Sequence, residues 1–361
     1  MGDARDAILL TNDDVRGLVG LAEVVEAVRR AYLDWGAEPA LNFLCQRGRT
    51  PADVRVCVHQ GASPSADATG LLVHCERLAQ DTSAEHLISV ASPMSVLFGA
   101  TDGALVGLII GEPTSSELPD VRAIAGLRTA GTSVVGTNAL ARSDAGVLTI
   151  VGAGKQAAVH VAALAATRAL ERVVVFSRDP ERRDAFAAEM ASTTGLTVES
   201  AGDAETAVRG ADIVVTATNS SSPVLDGSWL EPGQHVTSIV GGMVGLHRER
   251  PRAPGRRELD DVTDDRAAVI AMASREQAVF GFEEVESEDL VAAYQAGQAA
   301  YPHWSKTVEL SSVLTGRAEG RRSDEDITVF KNNAGQGVAD VAVGMLVLER
   351  AASLGLGRSL E

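Results

Sequence analysis

Cysteine is scarce in this chain: Cys45, Cys57 and Cys75 are the three in 361 residues, and no two form a C-x-x-C pair. An odd, unpatterned set excludes a disulfide framework and offers no zinc motif. No metal is therefore expected, and the thiols read as small packing residues. Basic residues are in deficit, 32 Lys and Arg against 49 Asp and Glu, for a formal charge of −17. Binding a phosphate backbone needs clustered cations, so a nucleic-acid partner is not expected. Aromatic residues make up 4%, which leaves the cores to Ala, Val, Leu and Gly. No apolar run is long enough to cross a bilayer, and the opening residues, with Asp3, Arg5 and Asp6, lack a signal-peptide pattern. The expectation is a cytoplasmic protein, without a membrane partner and with room for two domains.

What the chain does have is GVLTIVGAGKQA, Gly146 to Ala157. Val147, Leu148, Ile150 and Val151 form an apolar run too short for a helix, and it ends at Gly152 as a buried strand would. From Gln156 onward Val159, Val161 and Leu164 take helical spacing. A glycine turn between a strand and a helix lets backbone N–H groups approach a pyrophosphate at the positive end of the helix. Gly152, Ala153, Gly154, Lys155, Gln156 and Ala157 are the candidate cofactor residues, with Ala157 at the position that must be small for the helix to pack. A second strand, Leu170 to Phe176, ends at Ser177 and Arg178, where an adenosine ribose would lie. A hydroxyl and a guanidinium there favour NADP(H) over NAD(H), which stays possible because Asp179 follows; before Pro180 and Glu181, Asp179 looks more like a helix N-cap. A third strand, Ala211 to Thr218, ends in Thr216, Ala217 and Thr218, whose small hydroxyls could line the dinucleotide.

Elsewhere, Thr11 or Asn12 could cap a first turn, and Val24, Val25, Val28, Ala31 and Tyr32 give a helical stripe. Val54–Val58, Gly70–Cys75, His86–Val90, Met94–Phe98 and Ala104–Ile110 read as strands of a mostly antiparallel sheet. Pro113–Pro119 reads as a lid or hinge ahead of a helix near Arg122. Gly241–Glu258 is an arginine-rich loop, Glu283–Glu288 an acidic exposed run, and the stretch after Ile327 leads into a final helix.

Several of these segments, in order, match a known family. RTAGTSVVGTNALAR, VLTIVGAGKQA, GADIVVTATNSSSPVLDG, LTGRAEGRRSDEDITVFKNNAGQGVAD and a closing LGLG resemble the ornithine cyclodeaminase/mu-crystallin family from about Ala123 to the end. The resemblance implies an α/β fold: a Rossmann-type dinucleotide domain, residues 126–319, inserted into a discontinuous α+β substrate and dimerisation domain, residues 1–125 plus 320–361. It implies a homodimer and an oxidoreductase acting on the C=N or C–N bond of a small imino or amino acid. An ammonia-releasing cyclodeaminase or related amino-acid synthase is the alternative, and an NADPH-dependent small-ligand binding protein a third.

Carried over by position, Arg128 is the arginine that holds the substrate carboxylate, a role its planar fork suits. The family's usual lysine in G-x-x-V-K is replaced by His74, which could supply or hold a proton, and Glu76, two residues on and so on the same strand face, could orient it. The cyclodeaminases' aspartate after Gly-Gly is replaced by Met243, which cannot accept a hydrogen bond of any strength from an ammonium. Ornithine cyclisation thereby loses a chemical requirement.

Overall fold

In a computed structural model, which describes residues 7–52, 54–80, 85–89, 91–123, 125–220, 222–239, 258–280, 303–333 and 335–360, the chain divides into two units. One comprises residues 1–79, 87–132 and 335–361, the other 80–86 and 133–334.

The first unit holds a mixed eight-stranded sheet. Its strands are β1 (Ile8–Thr11), β2 (Gln46–Arg49), β3 (Val54–Ser63), β4 (Ala68–Gln80), β5 (Glu85–Ser89), β6 (Met94–Gly99), β7 (Leu105–Ile110) and the two-residue β16 (Arg358–Ser359). They run in the order β16-β1-β7-β6-β4-β3-β2, with β5 beside β4; β1 pairs in parallel with β7, and the pairs β1–β16, β2–β3, β3–β4, β4–β6 and β6–β7 are antiparallel. Helix α1 (Leu21–Ala37) buries the stripe Val24, Val25, Val28, Ala31 and Tyr32 that its spacing predicts. The expected cap at Thr11 or Asn12 is corrected: Ile8–Thr11 pairs in parallel with β7, and α1 starts at Leu21 with Glu23 Oε2 accepting from Gly20 N at 2.9 Å. Helix α2 begins at Gly126 rather than near Arg122, and runs to Leu140.

The last helix, α9 (Gly337–Ser353), packs on β3, β6 and β7 through Val338, Val341, Ala342 and Met345, all buried. Its approach is close enough to exclude any side chain at the contact. A Cβ on Gly337 would lie 1.9 Å from the Gln60 carbonyl oxygen. That proximity sets Asp340, one turn on, against β3.

The second unit is a parallel sheet. Its strands are β8 (Val147–Val151), β9 (Arg172–Phe176), β10 (Thr197–Ser200), β11 (Ile213–Thr216), β12 (His235–Ser238), β13 (Val269–Met272), β14 (Thr307–Glu309) and β15 (Thr328–Lys331). Their order, β10-β9-β8-β11-β12-β15-β13-β14, reverses direction at β8, the topological switch point of a doubly wound fold. Both faces are covered along the adjacent strands β11, β12, β15 and β13, all four residues of each being buried, His235 and Lys331 included. Strand β15 pairs with β12 and β13. The unit therefore extends to residue 334 instead of the expected 319, and it starts at 133 instead of 126. Among the described residues, no helix is long and apolar enough to cross a membrane.

Candidate active site

At the end of β8 the chain turns on Gly152, whose φ of 125° lies in the region that favours glycine. A Cβ there would meet the Ala217 carbonyl oxygen at 2.3 Å, so glycine lets β8 and the segment after β11 converge. Helix α3 (Lys155–Thr167) follows with Gly154 as N-cap and no side-chain cap. Its first N–H groups are left for a ligand, with the positive end of the helix dipole behind them. A Cβ on Gly154 would have only the Arg182 guanidinium nearby, at 3.8 Å, so the space over the turn is open. Ala157 is fully buried, as close packing of α3 requires. These features fit a dinucleotide pyrophosphate.

Ser177 and the exposed Arg178 follow β9, and Asp179 is the N-cap of helix α4 (Pro180–Thr194), accepting from Arg182 N at 3.1 Å. The carboxylate that clouded the cofactor reading is thus occupied in capping. A second cation escapes the sequence reading: Arg182 Nε donates to the Ala153 carbonyl at 3.0 Å, which lays its guanidinium along the glycine turn. Its position on the first turn of α4 was the available signal. Thr216 and Thr218 point their hydroxyls inward. Both donate to Glu258, at 2.9 Å each, and Thr218 N and Ser238 Oγ add bonds of 2.6 and 2.7 Å. Burial raises the pKa of Glu258, and these donors oppose the rise. The hydroxyls expected to face the dinucleotide are committed to a buried carboxyl instead. The arginine-rich loop and Met243 that precede Glu258, and the acidic run Glu283–Glu288, lie outside the described residues.

The first unit contains a chain of buried polar groups. Strands β3 and β4 pair so that Arg55 faces Glu76, Cys57 faces His74 and His59 faces Leu72. Arg55 Nε donates to Glu76 at 3.0 Å. His74 Nδ1 is 3.6 Å from Glu76 Oε1, beyond hydrogen-bond reach, so Glu76 serves Arg55 rather than orienting the imidazole. Burial, with His59 adding to it, lowers the pKa of His74 to about 4, so at neutral pH it is an uncharged imidazole. Cys57, His74 and Glu76 bring one ligand-type atom each within 4.8 Å, a grouping that cysteine spacing did not predict; the Arg55 cation already neutralises Glu76 there.

The rings of His59 and His74 meet edge to face at 5.3 Å, and His59 Nδ1 lies 2.8 Å from Asp340 Oδ2. Arg128 Nε donates to the other oxygen of Asp340, Oδ1, at 2.8 Å. Asp340 thereby holds two cationic groups, and its pKa is lowered despite burial. Burial opposes a charge on His59, but Asp340 outweighs it and raises its pKa to about 9. Arg128 and Asp340 line a cavity with Leu72, Glu112, Ala125 and Gly344. Arg128, placed from sequence, stands in that wall. Asp340, His59 and Glu112 were not placed, since only folding brings positions 281 residues apart into contact.

The family model of the ornithine cyclodeaminase/mu-crystallin family matches residues 110–355. The chain belongs to that family. Δ1-Pyrroline-2-carboxylate reductase of Bacillus cereus is 29% identical over 361 residues, covering 98% of this chain and 99% of its own. Among solved structures, the Thermococcus litoralis enzyme of the same name, in complex with NADH and L-proline, superposes with a TM-score of 0.74 at 25% identity, covering 98% and 100% of the two chains. A protein of Bordetella pertussis Tohama I described as a probable ornithine cyclodeaminase gives the same TM-score at 28% identity, with the same coverage. The family resemblance read from sequence and the α/β architecture are both borne out.

Proposed function

We propose that this protein is an NAD(P)H-dependent oxidoreductase that reduces the C=N bond of a small imino acid, open or cyclic, to the amine. The observation that carries the reading is Arg128, a buried guanidinium anchored through one nitrogen to Asp340 in the wall of a cavity, which suits a two-pronged grip on a carboxylate. The reductase names of the relatives above support the same reaction. The Gly152–Ala157 turn and Ser177–Arg178 would hold the dinucleotide, which supplies hydride when bound. The chain's own contribution is to fix the acid so that its α-carbon is presented in one orientation. Cys45, Cys57 and Cys75, none of them in a disulfide, fit a reducing, cytoplasmic setting. Incubation with NADPH or NADH and Δ1-pyrroline-2-carboxylate tests the reading by loss of reduced cofactor. No oxidation with any imino or oxo acid would overturn it, and ammonia release without net cofactor turnover would select a cyclodeaminase.

NADP(H) is the favoured cofactor. Arg178 is exposed beside the ribose position, Arg182 lies against the glycine turn, and Asp179 is occupied as a cap. Replacing Arg178 with Ala should raise the KM for NADPH by about tenfold, the value of one lost charge-assisted bond, with NADH little affected. Steady-state kinetics with both cofactors would show it; equal effects on the two would count against a 2′-phosphate site.

The protein is further read as a homodimer. On the sheet face turned away from α9, Val58, Val73, Met94 and Ile110 form a row across four paired strands, with Met94 42% and Ile110 39% exposed. A contiguous apolar face of this kind marks an interface. Val73→Lys should shift the mass measured by light scattering from dimer to monomer; an unchanged dimer would place the interface elsewhere.

A further inference from the structure

Glu112 is a carboxyl the function above does not use, and its surroundings are built around it. Its backbone is clamped: Glu112 N donates to Asn12 Oδ1 at 3.0 Å, and the preceding Gly111 N donates to the Pro93 carbonyl at 3.0 Å. Arg122 Nη1 donates to the same Asn12 oxygen at 2.5 Å, fixing that acceptor. One carboxyl oxygen, Oε2, accepts from Ala125 N at 3.1 Å. Ala125 offers that N–H from a left-handed backbone, φ 48°, one of two non-glycine residues with positive φ among those described. Such a conformation is strained at an alanine and persists only where its surroundings impose it. The other oxygen, Oε1, is buried with no hydrogen-bond partner among the described residues. A buried carboxyl oxygen left unsatisfied is costly, and here it belongs to a residue lining the same cavity as Arg128 and Asp340.

We infer that Glu112 is the acid of the reaction, giving its proton to the imine nitrogen while Arg128 holds the carboxylate. The inference rests on the imine-reductase reading above. The balance is simple: the Glu112 O–H proton goes to nitrogen, the C=N carbon accepts hydride from a reduced nicotinamide, and the π bond is replaced by one C–H and one N–H bond. Glu112 is left as a carboxylate and regains its proton from water. Electrostatics agree with the geometry. Burial raises the pKa of Glu112 to about 8, against the Ala125 N–H bond and the Arg128 and Arg122 charges, with Asp340 reinforcing the rise. At neutral pH the group is therefore an acid with a proton to give, which the uncharged His74 is not. Within the substrate, the arrangement selects an acid whose reacting nitrogen lies beside its carboxylate, since both ends are met in one cavity.

Glu112→Gln, equal in size and unable to donate a proton of acidic character, tests this. The expected result is a fall in kcat of about a hundredfold at pH 7 with KM little changed, a loss within the range that general acids supply. Wild-type kcat should decline above pH about 8 as Glu112 ionises, and that limb should vanish in the variant. Infrared difference spectra of the protein without substrate give an independent readout. A protonated-carboxyl C=O band should be present at neutral pH in the wild type, bleach on titration above pH about 8, and be missing in the variant. An active wild type with a variant of unchanged kcat and unchanged pH profile would overturn the acid role alone. A wild type that reduces no imino acid would remove the reaction and the role together, whatever the infrared band shows. A folded wild type without that band would overturn the protonated state directly.

Discussion

Arg128→Lys should lower kcat/KM by about a hundredfold, chiefly through KM, with little loss of stability. The lysine keeps a positive charge within reach of Asp340, so the buried anion stays compensated. What is lost is the planar fork: Arg128 spends Nε on Asp340 and has two further nitrogens in the cavity wall, whereas an ammonium is a single point donor. A carboxylate held by one point can rotate, and misplacement of about 1 Å at the reacting carbon is enough for a hundredfold loss. The discriminating measurement compares an imino acid with its decarboxylated imine. The variant should lose its preference between them, because the grip on the carboxylate is the contact removed. A variant that retains the preference would show that another group binds the acid.

The cofactor half of the site was legible in the sequence because it is local. Strand β8, the glycine turn and α3 occupy consecutive residues; Gly152 is demanded by the Ala217 carbonyl it approaches, and Gly154 leaves the space over the turn open. Asp179 was readable as a cap from the proline and glutamate after it. Of the candidate substrate cavity, only Arg128 was legible, at the position that the family resemblance supplied. His59 meets Asp340 because β3 and α9 are brought together by Gly61 and Gly337, and no periodicity within either segment encodes that contact. His74 and Glu76 were read as a pair by their period of two, and they do share a face. Their partners come from the neighbouring strand: Arg55 captures Glu76, and His59 meets His74 edge to face. The boundary near residue 320 failed for a related reason, since β15 looks like the lead-in to the last helix but completes the other sheet.

Asp340→Asn should have the largest effect on stability, and the effect should depend on pH. Asp340 is buried and serves two cations, so replacing it leaves the buried Arg128 charge without its partner. Breaking a buried pair in this way costs about 3 kcal/mol or more. The pH dependence comes from His59. Its folded pKa, about 9, lies above an unfolded value of about 6.5, so its share of stability is present in full below pH 6.5 and is lost as pH rises through 9. In Asp340→Asn the histidine loses the charge that holds its proton and should behave like the buried His160 and His235, whose pKa values burial lowers to about 4 and about 3. For a group of that kind the sign reverses: stability falls as pH drops below 6.5, where the unfolded chain takes up a proton that the folded one refuses. Urea unfolding of both proteins across pH 6 to 9.5 should therefore show a wide gap at the acidic end that narrows by up to about 3 kcal/mol toward the alkaline end. A gap constant with pH would mean that Asp340 is bound to Arg128 alone and that His59 carries no charge in the folded protein.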